Sequence, residues 1–217
     1  MIRELDPGEY YHVLNRGVGK NDIFLDDADR RRFLFLLLYF QAPTISIPDV
    51  SAMTKEFKIT PFIRNLADDV ISQRTIELIC FSLMNNHFHI CVREKTKSGI
   101  SKFMQRVLNS YTKYFNTRYE LSGHLFQGPY KIVHVENDTQ LLYVSAYIHR
   151  NPRDLPGMRG KEAFYPWSSY QDYTRKNRWG ELLLRNIILD QFDSQKEYAD
   201  FLKTSTAKLL EGEWAIE

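Results

Sequence analysis

Residues 75–95 constrain the fold of this chain more than any other stretch. Two apolar runs, TIELICFSLM and HFHICVREK, meet at Asn85-Asn86. Asparagine tolerates the positive φ that a tight hairpin turn demands, so the pattern predicts two antiparallel strands joined by a two-residue turn. That turn sets Ser82 opposite His89 and Cys80 opposite Cys91. Side chains alternate across a strand, so His87 and His89 share one face while Phe88 points to the other. Cys91 continues the histidine face. Two imidazoles on neighbouring same-side positions of a rigid strand suit a divalent cation. A metal needs further ligands and a reaction needs a nucleophile, and the rest of the chain has to supply both.

The flanking sequence reads as alternating strands and helices. EYYHVLNRG at 9–17 is a strand ending in a glycine-punctuated loop, with His12 as a packed, hydrogen-bonded core histidine. DDADRRRFLFLLLYF at 26–40 is a helix opened by acidic residues, and its Arg30, Arg31 and Arg32 read as a solvated face. Pro43, Pro48 and Pro61 interrupt 41–74, which holds no single period and reads as an insertion, partly helical near 57–70. After the hairpin, residues 98–120 repeat apolar positions at helical spacing from Ile100 to Phe115. YKIVHV at 130–135 is a further strand. Asn137 and Gln140 then open a helix that Pro152 ends, leaving Asn151 at its terminus. YPWSSY at 165–170 reads as a cover on the core, and 181–210 as a helical appendage. The order predicts an α+β, ferredoxin-like split β-α-β sandwich, with an antiparallel sheet and helices on one sheet face. Residues 1–175 form the core domain on this reading, and 176–217 a C-terminal helical extension.

Net charge is only +2, so any case for nucleic acid rests on where charge sits. Between Lys97 and His134 the basic residues are Lys97, Lys102, Arg106, Lys113, Arg118 and Lys131, against the single acid Glu120. Aromatic residues accompany them, Tyr130 among them. A basic groove with stacking rings is how single-stranded nucleic acid is held, although a solvated helix over core aromatics fits the same residues. Two cysteines are too few for a secreted disulfide scaffold, the first residues lack the apolar core of a signal peptide, and no uncharged stretch is long enough to span a bilayer. The expected compartment is the cytoplasm.

Phosphoryl transfer on nucleic acid fits these parts. A divalent metal, Mg²⁺ or Mn²⁺, on His87 and His89 would offset charge at a scissile phosphate, and Asn151 offers an amide oxygen as a third ligand. A tyrosine is the nucleophile that keeps the bond energy in a covalent ester. Tyr147 lies four residues before Asn151 and can face the same way, but spacing leaves Tyr143, Tyr111 and Tyr114 as rivals. A structural zinc site on Cys80, His87, His89 and Cys91 is an alternative use of the hairpin.

The sequence resembles the single-tyrosine HUH transposases, most of all the REP-associated tyrosine transposases. The resemblance rests on YHVLNRG at 11–17, LMNNHFHI at 83–90, the run from Tyr111 to Lys131 ending GHLFQGPYK, YIHRNP at 147–152 and YPWSSY at 165–170. It implies a metal at His87, His89 and Asn151, Tyr147 as nucleophile, and cleavage and strand transfer of single-stranded DNA beside a hairpin. Arg16, Lys102, Arg106, Lys113, Tyr130 and Lys131 are the expected DNA contacts. Departures are Asn85 where proline is frequent, Pro129 where arginine is frequent, and the 41–74 insertion and the tail, which lack an assigned counterpart. Two other functions remain open on sequence: a non-catalytic, domesticated nucleic-acid-binding module, and a hairpin nuclease without transposition. The chain is expected to act as a monomer or homodimer, with no membrane partner.

Overall fold

The computed structural model describes residues 5–43 and 61–205. The elements are β1 (Tyr10–Arg16), α1 (Asp27–Tyr39), α2 (Pro61–Gln73), β2 (Ile76–Leu83), β3 (His87–Glu94), α3 (Gly99–Tyr119), β4 (Lys131–Val135), α4 (Asp138–Arg150), α5 (Tyr170–Thr174), α6 (Asn186–Leu189) and α7 (Gln195–Thr204). The sheet order is β2-β3-β1-β4 and every pairing is antiparallel. This is the predicted α+β split β-α-β arrangement, with β3 inserted between β1 and β2. The expected helical stretch near 57–70 is realised as α2, with its first four residues outside the described residues; the helix expected over 181–210 is instead broken into α6 and α7, with 206–210 outside the described residues.

The hairpin register is as expected, with Ser82 opposite His89 and Cys80 opposite Cys91. A bulge between Leu78 and Cys80 shifts the rest of the pair, and the Gln41 side chain fills the irregularity by accepting from the Leu78 N–H at 3.1 Å. The turn itself differs from expectation, because neither Asn85 nor Asn86 has positive φ. Its backbone is held from outside instead. The Asn85 carbonyl accepts from the Ile23 and Phe24 N–H groups, and the Asn86 carbonyl from the Gly17 N–H. Gly17 has to be glycine for this approach, since a Cβ there would lie 2.1 Å from the Asn21 carbonyl oxygen.

Both sheet faces are covered, which corrects the expectation of helices on one face only. Phe33 of α1 packs against Phe88 and against Tyr111 of α3, so α1 and α3 share the Phe88 face. Tyr147 of α4 stands over His89 on the opposite face. With both faces covered, β2 is buried at every position and reads as a continuous apolar run rather than an alternation. On the Phe88 face, buried Asp29 ties α1 to α3 by accepting from Arg118, Tyr114 and Tyr119. The arginines of α1 are less solvated than expected. Arg30 donates to the Asn85 side chain at 2.7 Å and stacks over Phe24, and Arg32 stacks over Tyr114.

The C-terminal segment is part of the core. YPWSSY seals the free edge of β2, with Leu83 donating to the Trp167 carbonyl and Ser169 to the Phe81 carbonyl. Tyr198 of α7 is fully buried against His149 of α4, its hydroxyl 2.6 Å from His149 Nδ1 and 3.1 Å from Ser145 Oγ. Tyr198→Phe removes that hydroxyl and strands polar atoms in a dry site, so it should cost about 1–3 kcal/mol. The check is the urea midpoint; an unchanged midpoint would show that the contact contributes nothing.

Candidate active site

Alternation along β1 and β3 builds the site. Arg16 pairs with His87, Leu14 with His89 and His12 with Cys91, so His12, His87 and His89 all project toward α4. Helix α4 is started by Asn137, whose side chain accepts from the Gln140 N–H at 2.9 Å, and it ends at Arg150 with Asn151 as its C-cap. That span puts Tyr147 and Asn151 one turn apart over the histidines. The Tyr147 ring centre lies 5.2 Å from His89 and 5.9 Å from His12, edge-on to both. His87 Nε2 is 3.1 Å from Asn151 Oδ1. The structure therefore brings together all four residues named from the sequence, His87, His89, Tyr147 and Asn151.

The rival tyrosines lie elsewhere. Tyr111 is buried on the other sheet face and donates to the Ile23 carbonyl at 2.6 Å. Tyr114 donates to Asp29 there, and Tyr143 packs against Phe201. His149 is enclosed between Tyr198 and Ser169, and His134 faces Glu9.

Burial keeps the site histidines neutral. It lowers the His87 pKa, with the Asn151 contact opposing it, and pushes His89 well below the usual histidine range, helped by its neighbours His12 and His87. Neutral imidazole is the ligand form. Whether the residues suit a metal is decided at His87. Its Nδ1 lies 2.6 Å from Asn86 Oδ1 and its Nε2 faces Asn151 Oδ1. One N–H cannot serve two carbonyl oxygens. With the proton on Nδ1, donating to Asn86, the Nε2 lone pair meets the Asn151 oxygen, and a cation between them removes the clash. The donor set fits a divalent metal. Among the described residues no group of three or more His, Cys, Asp or Glu is arranged to hold a metal ion; the oxygen donor placed beside the pair is Asn151 Oδ1. The zinc alternative falls for the same reason; Cys80 and Cys91 are buried free thiols.

The sequence model described as transposase IS200 like matches residues 49–151, from the segment before α2 through the hairpin to Asn151. Over that span the chain is similar to the IS200-like transposases. The match begins at residue 49, inside the stretch read as an insertion. No curated protein sequence matches the chain significantly. Among solved structures, a REP-associated tyrosine transposase bound to a REP hairpin aligns with a TM-score of 0.52 at 13% identity, covering 79% of this chain and 82% of that one. At that identity the likeness establishes the shared fold.

Of the cations expected to meet DNA, Arg16 sits at the site's edge, where its Nε donates to Gln127 Oε1 at 2.8 Å. Gln127 lies in the 124–129 loop, which with α3 lines a cavity of about 880 Å³ that also takes in Asn109, Thr112, Lys113 and His124. Lys102 and Lys131 are exposed, and Tyr130 is half-buried at the start of β4. Arg106 departs from the expected phosphate contact. It stacks on Phe40 and donates to the Ala42 carbonyl at 2.7 Å, so its fork is used to close the end of α1. The residue that sequence reasoning undervalued is His12, whose Nε2 lies 3.0 Å from His89 Nδ1. Its even spacing from Arg16 and Leu14 placed it on the site face, but only the strand order brings it beside His89. Among the described residues no helix is long and apolar enough to cross a membrane.

Proposed function

We propose that this chain cleaves and rejoins single-stranded DNA beside hairpin or palindromic elements through a covalent phosphotyrosine. The observation that carries the reading is the placement of Tyr147 edge-on to His89, one helical turn from an Asn151 that faces His87. The Tyr147 oxygen bonds to phosphorus as the bond to the departing sugar oxygen breaks. The phenol gives up its proton and the departing oxygen takes one up. The ester keeps the bond energy, so a second sugar hydroxyl can reverse the step without a nucleotide cofactor. His87, His89 and Asn151 are the residues that would hold Mg²⁺ or Mn²⁺, which when bound supplies positive charge to the phosphate. Helix α4 carries Tyr147 and is capped by Asn151, so their separation is fixed before substrate arrives.

Single-stranded DNA is the partner this reading names, in keeping with the hairpin-bound transposase that shares the fold. Arg16, Lys102, Lys113 and Lys131 supply the charge and Tyr130 a ring at the groove's end. Lys113→Ala should weaken hairpin binding about equally for all sequences and flatten the salt dependence by about 0.7–0.9 in log–log slope. Titration at two or more salt concentrations checks this; an unchanged slope would remove Lys113 from the interface.

The test of the function is incubation with end-labelled single-stranded hairpin DNA and Mg²⁺ or Mn²⁺, followed by denaturing electrophoresis. A protein-linked DNA band is expected. Binding without any linked or nicked species across a broad hairpin panel would favour the non-catalytic module, and nicking without rejoining a hairpin nuclease.

A further inference from the structure

His12 lies outside the family match, at 49–151, and is fully buried on the central strand. Its Nε2 stands 3.0 Å from His89 Nδ1, and its ring stacks on that of His89 with centres 5.1 Å apart. Its other nitrogen, Nδ1, is buried without a hydrogen-bond partner. We propose that His12 is a positioning residue, whose Nε2 accepts the Nδ1 proton of His89 and so holds His89 Nε2 bare as a metal ligand. This deepens the proposed function and rests on it.

Proton count separates the two tautomers. Two neutral imidazoles that share a nitrogen–nitrogen contact place one proton between them. If His12 supplied it, the proton of His89 would sit on Nε2, the one nitrogen of that ring still facing the site, and no cation could bind there. If His89 supplies it, Nε2 is left with its lone pair, and the proton of His12 moves to the unpartnered Nδ1. A buried N–H without an acceptor is unfavourable. The arrangement therefore accepts a poorly satisfied group on His12 in return for a ligand-ready His89, a distribution expected of a site built for a cation rather than for the core alone. Ligating histidines nearly always donate their second N–H to a neighbour in this way. His87 has the same support from Asn86 Oδ1 at 2.6 Å, so each ring of the pair has its own orienting acceptor.

Three forms decide the matter: wild type, His12→Phe, which keeps the ring volume without an acceptor, and His12→Gln, whose amide oxygen reaches close to the Nε2 position. Mn²⁺ affinity is measured by calorimetry, and the His89 tautomer by ¹⁵N NMR of histidine-labelled protein, with and without Zn²⁺ as a diamagnetic probe. Expected are a 10–100-fold weaker Mn²⁺ affinity in His12→Phe, recovery to within about threefold of wild type in His12→Gln, and an Nδ1–H tautomer of His89 in metal-loaded wild type. Unchanged Mn²⁺ affinity in a folded His12→Phe, or a proton on His89 Nε2 in wild type under both conditions, overturns the proposal. If His12→Phe does not fold, the wild-type tautomer and the His12→Gln affinity still decide it. Wild type that shows the Nδ1–H tautomer but binds neither metal would instead sink the metal reading of the proposed function and leave the orienting contact established.

Discussion

Tyr147→Phe should abolish the covalent protein–DNA species while hairpin binding stays within about threefold of wild type. Phenylalanine keeps the ring that packs edge-on to His89 and His12, so the groove and its phosphate contacts are undisturbed and affinity is retained. What disappears is the hydroxyl of the ring that α4 sets edge-on to the site histidines. Loss of a nucleophile typically costs on the order of 10³-fold or more, which puts the adduct below detection on a gel. Tyr143→Phe is the control, since Tyr143 packs against Phe201 and away from the histidines; its adduct should persist. His87→Ala should remove the adduct as well, by emptying the position that faces Asn151. An adduct that survives Tyr147→Phe would refute the assignment of the nucleophile, and one that survives His87→Ala would show that the histidine pair does not serve this step.

The site was legible in the sequence wherever its geometry is local. The Asn85-Asn86 junction and strand alternation were enough to set His87 and His89 side by side and Ser82 across from His89. Helical spacing with Pro152 was enough to pair Tyr147 with Asn151. On spacing alone Tyr147 could not be told from Tyr143 and Tyr111; in the fold Tyr111 lies on the other sheet face and Tyr143, although on α4, turns toward Phe201 while Tyr147 faces the histidines. His12 was readable as buried but not as a neighbour of His89, since that contact depends on β1 lying beside β3. Arg106 misled for a related reason. It lies on the polar side of α3, and only the arrival of the α1 C-terminus turns its guanidinium toward carbonyl oxygens. The turn misled too, because its asparagine carbonyls are held by residues 17–24 from outside the hairpin. YPWSSY was legible as a cover on the core, and it completes the edge of β2; the segment after it offered no signal that Tyr198 clamps α4.

That clamp makes the fold acid-labile. His149 is fully buried, both ring nitrogens are occupied by the hydroxyls of Tyr198 and Ser169, and burial alone pushes its pKa down to about 3. His12 is pushed to about 3 by the same cause. An unfolded histidine titrates near 6.5, so between the two values the unfolded chain binds protons that the native state refuses. The sign follows directly. Stability is fully present above about pH 6.5 and declines as the pH falls toward 3. Each such histidine contributes at most about 1.4 kcal/mol per pH unit, so the two together remove on the order of 6 kcal/mol by pH 4. That is comparable to the whole stability of a typical domain. Urea unfolding at pH 7.5, 5.5 and 4.5 measures it, and a midpoint that does not move would contradict the burial of both rings. His149→Gln separates the clamp from the active site: it should lower stability at pH 7.5 and reduce the pH slope by close to one proton. Because His149 contacts Tyr198 and Ser169 rather than the His87–His89 pair, that reduction should be the same with and without Mn²⁺, whereas a metal that holds His12 and His89 neutral should leave their contribution intact or extend it to lower pH, since the native state then refuses protons still more strongly.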